Sequence, residues 1–136
     1  MKLFTVKKIK NSHQLFDEKN ILIGEKIAGF WSGINEKLKI VNQYLTIKYS
    51  GFLFYDIKFF DTDEKLVIKI ESSKSRLFYY GPNSTEVYQF RSYGFFRSFF
   101  TLHRFEDDKE VIRFKKENLF LKIYIRWTLM MILIII

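Results

Sequence analysis

Short runs of aromatic and β-branched residues, each closed by a charged or glycine-containing corner, recur along the whole chain, and this spacing constrains the fold most. The runs predict strands near 2–8, 12–16, 21–28, 36–41, 43–49, 52–60, 65–71, 75–80, 85–91, 96–104 and 109–115. Apolar and polar residues alternate most clearly in Tyr44-Leu45-Thr46-Ile47-Lys48-Tyr49 and Leu66-Val67-Ile68-Lys69-Ile70. In the second run Leu66, Ile68 and Ile70 share one face of a strand, and Val67 and Lys69 take the other. No stretch before residue 119 keeps a helical apolar period for long. Aromatic residues make up 19% of the chain, and they suit a pleated, half-buried surface. At 136 residues the chain has the length of one domain, so residues 1–136 are expected to form a single all-β unit.

A faint repeat refines the expectation. Phe16-Asp17-Glu18-Lys19 precedes the apolar run Ile21-Leu22-Ile23. Phe60-Asp61-Thr62-Asp63-Glu64-Lys65 precedes Leu66-Val67-Ile68, and Phe105-Glu106-Asp107-Asp108-Lys109-Glu110 precedes Val111-Ile112. Each unit reads as a strand, an acidic turn and a returning strand, because Asp can accept local backbone N–H groups while staying solvated. Gly51-Phe52 and Gly94-Phe95 lead into the last two units. Three units are too few to close a propeller, so an antiparallel barrel of repeated hairpins is expected.

The hairpin Leu15-Phe16-Asp17-Glu18-Lys19-Asn20-Ile21-Leu22-Ile23-Gly24 resembles hairpins of the tubby C-terminal and LURP-one-related group. Gly94 to Leu102, followed by Glu110-Val111-Ile112-Arg113-Phe114-Lys115, resembles a set of small bacterial proteins that look like relatives of that group. The resemblance implies a closed antiparallel barrel of about twelve strands wrapped round an apolar C-terminal helix. It also implies a link to membrane phospholipid, which some members of the wider group bind or act on. No phosphoinositide-binding motif of the group has a counterpart in this chain.

The segment 119–136 stands apart from the rest. Trp127 to Ile136 is uncharged, and Lys122 and Arg126 interrupt the apolar residues before it. Its uncharged part is shorter than the roughly 20 apolar residues a spanning helix needs. It is expected to be a core element, either a central helix or a last strand, shielded on every side. A membrane-dipping tail with Lys122 and Arg126 at the interface is one alternative, and a truncated end is another.

The formal net charge is +8, from 23 Lys and Arg against 15 Asp and Glu. That balance suits an anionic partner, either a phospholipid surface or nucleic acid. Candidate contacts to an anionic ligand are Lys7, Lys8, Lys10, Arg91, Arg97, Arg104, Lys115 and Lys116, should the fold bring them together. Arg91-Ser92-Tyr93-Gly94-Phe95 partly matches the signature in which strand aromatics stack on bases, with Tyr93 and Phe95 as the stacking residues. The two helices of that fold are not predicted before residue 119. A single-stranded nucleic-acid-binding barrel therefore stands as the alternative function, behind a non-enzymatic barrel working at an anionic membrane surface.

Catalytic and metal signals are weak. There is no Cys, which removes disulfides, thiolate metal sites and cysteine nucleophiles. His13 and His103 are far apart in sequence, and neither a nucleophile elbow nor a phosphate-binding glycine loop is present. Asp61-Thr62-Asp63-Glu64 lacks the Gly and distal Glu of a calcium loop. No enzyme activity, cofactor or metal is expected. Met1 to Lys10 lacks the apolar run of a secretory leader, and a cytoplasmic location is expected, with peripheral or tail-mediated membrane association.

Overall fold

The computed structural model describes residues 5–10, 12–27, 36–52, 56–93 and 99–115. They form an all-β, antiparallel sheet of eleven strands: β1 Thr5–Ile9, β2 Ser12–Phe16, β3 Leu22–Ile27, β4 Lys37–Ile40, β5 Gln43–Ser50, β6 Asp56–Phe60, β7 Leu66–Glu71, β8 Arg76–Tyr80, β9 Thr85–Tyr93, β10 Phe99–Arg104 and β11 Glu110–Lys115. Each strand pairs with the next in sequence, so the sheet is a simple meander. A single 3₁₀ turn, Ser72–Lys74, links β7 and β8. Among the described residues no pairing joins β1 to β11, and no helix is long and apolar enough to cross a membrane.

The alternation seen in sequence sorts side chains onto two faces. Register places Leu38 opposite Leu45, Ile47 opposite Phe59, Phe59 opposite Ile68 and Ile70 opposite Leu77. Leu77 faces Tyr88, and Leu102 faces both Phe90 and Ile112. These residues form one buried cluster that extends from Leu15 in β2 to Ile112 in β11. The other face carries the polar partners of the same strands.

Three irregularities mark the repeat. The register shifts between Leu15 and Phe16, between Phe59 and Phe60, and between Leu102 and His103, each time just before an acidic turn. In the first turn the Asp17 carboxylate accepts the backbone N–H groups of Lys19 at 2.9 Å and Ile21 at 2.8 Å. Asp61 accepts those of Asp63 at 3.0 Å and Lys65 at 2.9 Å. Asn20 and Glu64, three residues after each Asp, take the left-handed conformation with φ 59°. The third turn is longer: Arg104 N–H donates to the Lys109 carbonyl, and the left-handed residue is Asp108. One extra residue accounts for the difference, and it removes the Asp from the leading position.

Of the strand expected over 52–60, Asp56–Phe60 is β6, Phe52 is not in a strand, and 53–55 lie outside the described residues. Gly51 has φ 86°, a conformation that leaves the extended path, and Phe52 beyond it is 88% exposed. The strand expected over 36–41 ends at Ile40, because Ile40 pairs with Gln43 and leaves only Val41 and Asn42 for the turn. The expected core segment 119–136 lies outside the described residues.

Candidate anion-binding face

The outer face carries a row of lysines that no stretch of sequence reveals. Lys48 on β5 stands opposite Lys58 on β6, and Lys58 stands opposite Lys69 on β7. Like charges directly opposite one another on neighbouring strands destabilise a sheet. Lys69 is compensated: its ammonium lies 2.6 Å from a Glu71 oxygen and 4.0 Å from Asp56. The hydrogen bond to Glu71 holds the Lys69 pKa above the usual lysine value, and the same bond holds the Glu71 carboxyl below the usual carboxylate value. Among the described residues neither Lys48 nor Lys58 forms an ion pair.

Aromatic rings sit between the cations. The Lys48 ammonium lies 4.9 Å from the centre of the Phe60 ring, and Lys69 lies 5.9 Å from that of Phe78. Lys39 approaches Tyr44 at 5.7 Å, and Lys7 approaches Phe16 at 4.6 Å. The Arg76 guanidinium stands 4.8 Å from the Phe105 ring. Such contacts are electrostatic attractions to the ring quadrupole and leave the cation partly hydrated. Lysines stand with aromatics on β1, β2, β4, β5 and β6, with the carboxylates Glu25 of β3 and Asp56 of β6 among them. Glu25 accepts Ser12 Oγ at 2.5 Å and Gln14 Nε2 at 3.1 Å, and these bonds hold its carboxyl below the usual value, helped by Lys39.

The residues expected from sequence are spread differently. Lys7 on β1 is exposed and reaches the Asn20 side chain at 3.1 Å. Lys10 occupies the β1–β2 turn with φ 55°, and Lys8 lies on β1. Arg91 on β9 makes a bidentate pair with Asp108, and Arg104 at the end of β10 pairs with Asp107 at 3.3 Å. Tyr93, at the end of β9, is 47% exposed and stands two residues after Arg91 on the same strand. Lys115 closes β11 at the opposite end of the strand order from β1. Arg97, Phe95 and Lys116 lie outside the described residues, as does the Gly94-Phe95 pair. Within the described residues, then, the expected cations fall into a β1 group and a β9–β11 group, and in the latter Arg91 and Arg104 are already paired with acids.

Two polar clusters escaped the reading of the sequence. On the outer face of β10 and β11, buried His103 has Nδ1 3.0 Å from the Asp108 carbonyl and Nε2 3.0 Å from Thr101 Oγ1. A carbonyl only accepts, so Nδ1 carries a proton. The Asp108 and Glu110 carboxylates lie at 3.7 and 4.0 Å, and Arg113 holds Glu110 through two hydrogen bonds. Thr101 is almost fully buried, so the cluster ties strands together and offers no open nucleophile. On the inner face, Lys26 of β3 lies 3.3 Å from Glu36, and both are about nine-tenths buried. The Tyr49 hydroxyl donates to Glu36 at 2.5 Å; burial, then this carboxylate, raise its pKa far above that of a free phenol. His13 stands opposite Lys26 in register. Among the described residues no group of His, Asp and Glu is placed to hold a metal ion.

Fold and face together define an antiparallel β-meander domain with a basic, aromatic-studded outer surface. No protein-family model matches the chain, no curated protein matches it, and no solved structure matches it.

Proposed function

We propose that this chain is a non-enzymatic binding domain that docks on an anionic phospholipid surface through the outer face of β1–β7. One observation carries the reading: Lys48, Lys58 and Lys69 stand in register across three neighbouring strands, with Lys48 and Lys58 lacking any carboxylate partner among the described residues. Such a row is unfavourable in the isolated sheet and favourable against a negative surface. The +8 charge and the aromatic residues beneath the lysines support the same reading, since ring and ammonium together suit the boundary between headgroup and water.

Single-stranded nucleic acid is the competing polyanion, and exposed Tyr93 beside Arg91 is its best support. Base stacking needs open ring faces, whereas cations already stand over the rings of Phe16, Tyr44, Phe60 and Phe78. The membrane reading is therefore preferred. The finer architecture proposed with it is a barrel closed round residues 119–136; one continuous buried cluster from β2 to β11 supports such closure.

The direct test is sedimentation of the full chain with phosphatidylserine-containing vesicles, with plain phosphatidylcholine vesicles, and with a single-stranded oligonucleotide as competitor. Binding to the anionic vesicles alone, weakened as salt rises, is the expected result. Absence of vesicle binding at low salt, or tighter binding to the oligonucleotide, would refute it.

A further inference from the structure

In a meander, successive connections alternate between the two ends of the strands, and here the exposed charge divides the same way. The turns after β2, β6 and β10 stand at one end, together with the start of β9. All the exposed carboxylates of the described residues lie there: Glu18, Asp63, Glu64, Glu86 and the run 106–108. They outnumber the exposed lysines beside them, Lys19, Lys65 and Lys109. At the other end the carboxylates are withdrawn. Glu36 is buried against Lys26, and the half-buried Asp56 and Glu71 lie within ion-pair distance of Lys69, with Lys74 3.6 Å from the second Glu71 oxygen. Lys10, Lys37 and Lys74 are exposed at this end. The lysine row is shifted the same way: Lys48, Lys58 and Lys69 each stand two residues from this end of their strands, about 7 Å. Beyond the row, Gly51 turns the chain out of β5, and Phe52 projects almost wholly into solvent. Phe52 is the most exposed large hydrophobic side chain among the described residues, so its ring contributes nothing to the core and keeps its apolar surface in water.

We infer that the domain meets an anionic bilayer with this basic end foremost: Phe52 enters the interfacial layer, the lysine row meets the headgroups, and the acidic turns face away. This rests on the membrane reading above and deepens it by naming the anchor and the orientation. The occupant follows from charge. An anionic surface attracts the end that shows exposed cations and repels the end that shows exposed carboxylates. A phenylalanine ring close to lysines suits the boundary between headgroup and acyl chain, where the ring leaves water and the ammonium groups stay in it. Farther round the same end Ile9 and Ile27 are also exposed, and Lys37 faces Ile27 in register, so the pairing of apolar and cationic side chains recurs there.

The chain has no Cys, so one engineered thiol reports one position. Full-length Phe52→Cys and Asn83→Cys, each carrying an environment-sensitive fluorophore, place one probe at the basic end and one in the exposed β8–β9 turn at the acidic end. With phosphatidylserine-containing vesicles the Phe52 probe is expected to shift to the blue and the Asn83 probe to stay unchanged. Phe52→Ala without a label is expected to partition about tenfold more weakly, as withdrawing one large apolar side chain from lipid requires. Its thermal melt should match that of the unaltered chain, because the ring packs against so little. Vesicle binding with the Asn83 probe shifted, with neither probe shifted, or with Phe52→Ala partitioning unchanged would overturn this orientation and leave membrane docking intact. No binding at low salt would overturn both. A blue-shifted Phe52 probe in a vesicle-free dimer would make this end a contact between two copies, and a shift caused by oligonucleotide alone would make it a nucleic-acid contact; either overturns the inference.

Discussion

A lysine and a glutamate facing each other on the buried side of a sheet are tolerated only as a pair. Lys26 and Glu36 meet at 3.3 Å, and the Tyr49 hydroxyl takes a further acceptor site on Glu36. Lys26→Met should therefore lower stability by about 3–5 kcal/mol, because it leaves the Glu36 charge uncompensated. Lys26→Met combined with Glu36→Leu should recover most of that loss, and urea unfolding of the two proteins checks both outcomes. Val41 behaves in the opposite sense. Val41→Asn should raise stability by about 1 kcal/mol by relieving the left-handed valine. Neither residue was legible in advance. Val is a strong strand former, so the expected strand over 36–41 absorbed Val41; only the Ile40–Gln43 pairing forces it into the turn. Lys26 reads as a solvated residue in sequence, and its burial follows from which face of β3 turns inward.

At the scale of the element, the acidic turns are where sequence and structure agree best. Asp17 and Asp61 each accept two backbone N–H groups, so Asp17→Ala and Asp61→Ala should each cost about 1–2 kcal/mol in a thermal melt. Asp107 accepts one backbone N–H group, that of Lys109 at 3.2 Å, and the exposed Arg104 guanidinium at 3.3 Å, and Asp107→Ala should cost less than either. The first two turns were legible because Asp has few ways to act in a short turn between strands, and capping backbone N–H groups is the commonest. The third was misaligned by its extra residue: pattern spacing carries no signal for an insertion inside a turn. Carboxylates on the strands add a pH dependence. Hydrogen bonds hold Glu25, Glu71, Asp108 and Glu110 below their usual values. The unfolded chain therefore binds more protons than the folded chain as acid is added. Stability should be full above about pH 5 and should fall as pH drops through and below about 4, the unfolded carboxylate range. Denaturant midpoints measured across pH 3–6 test this. Glu25→Gln should weaken the acid sensitivity, with Ser12 and Gln14 losing their charged acceptor.

At the scale of the whole molecule, the lysine row shows why reading clusters along the sequence did not bring Lys48, Lys58 and Lys69 together. Consecutive residues of a strand alternate faces, so adjacent lysines do not make a patch. Lys48, Lys58 and Lys69 meet through two successive registers, which depend on the turn lengths and on the bulge beside Phe60. Small errors in any of these would separate them. The all-β class and nearly every strand could be read from aromatic and β-branched periodicity alone, whereas pairing across strands could not.

The most direct test of the proposed membrane-docking surface is vesicle partitioning of Lys48→Gln/Lys58→Gln beside the unaltered chain, on phosphatidylserine-containing vesicles at low salt. Each lysine near such a surface contributes about 1 kcal/mol, so the double variant should bind at least about tenfold more weakly. Its thermal stability should hold or rise slightly, since opposed like charges are removed. Equal partitioning of the two proteins, with both folded, would contradict the assignment of this face.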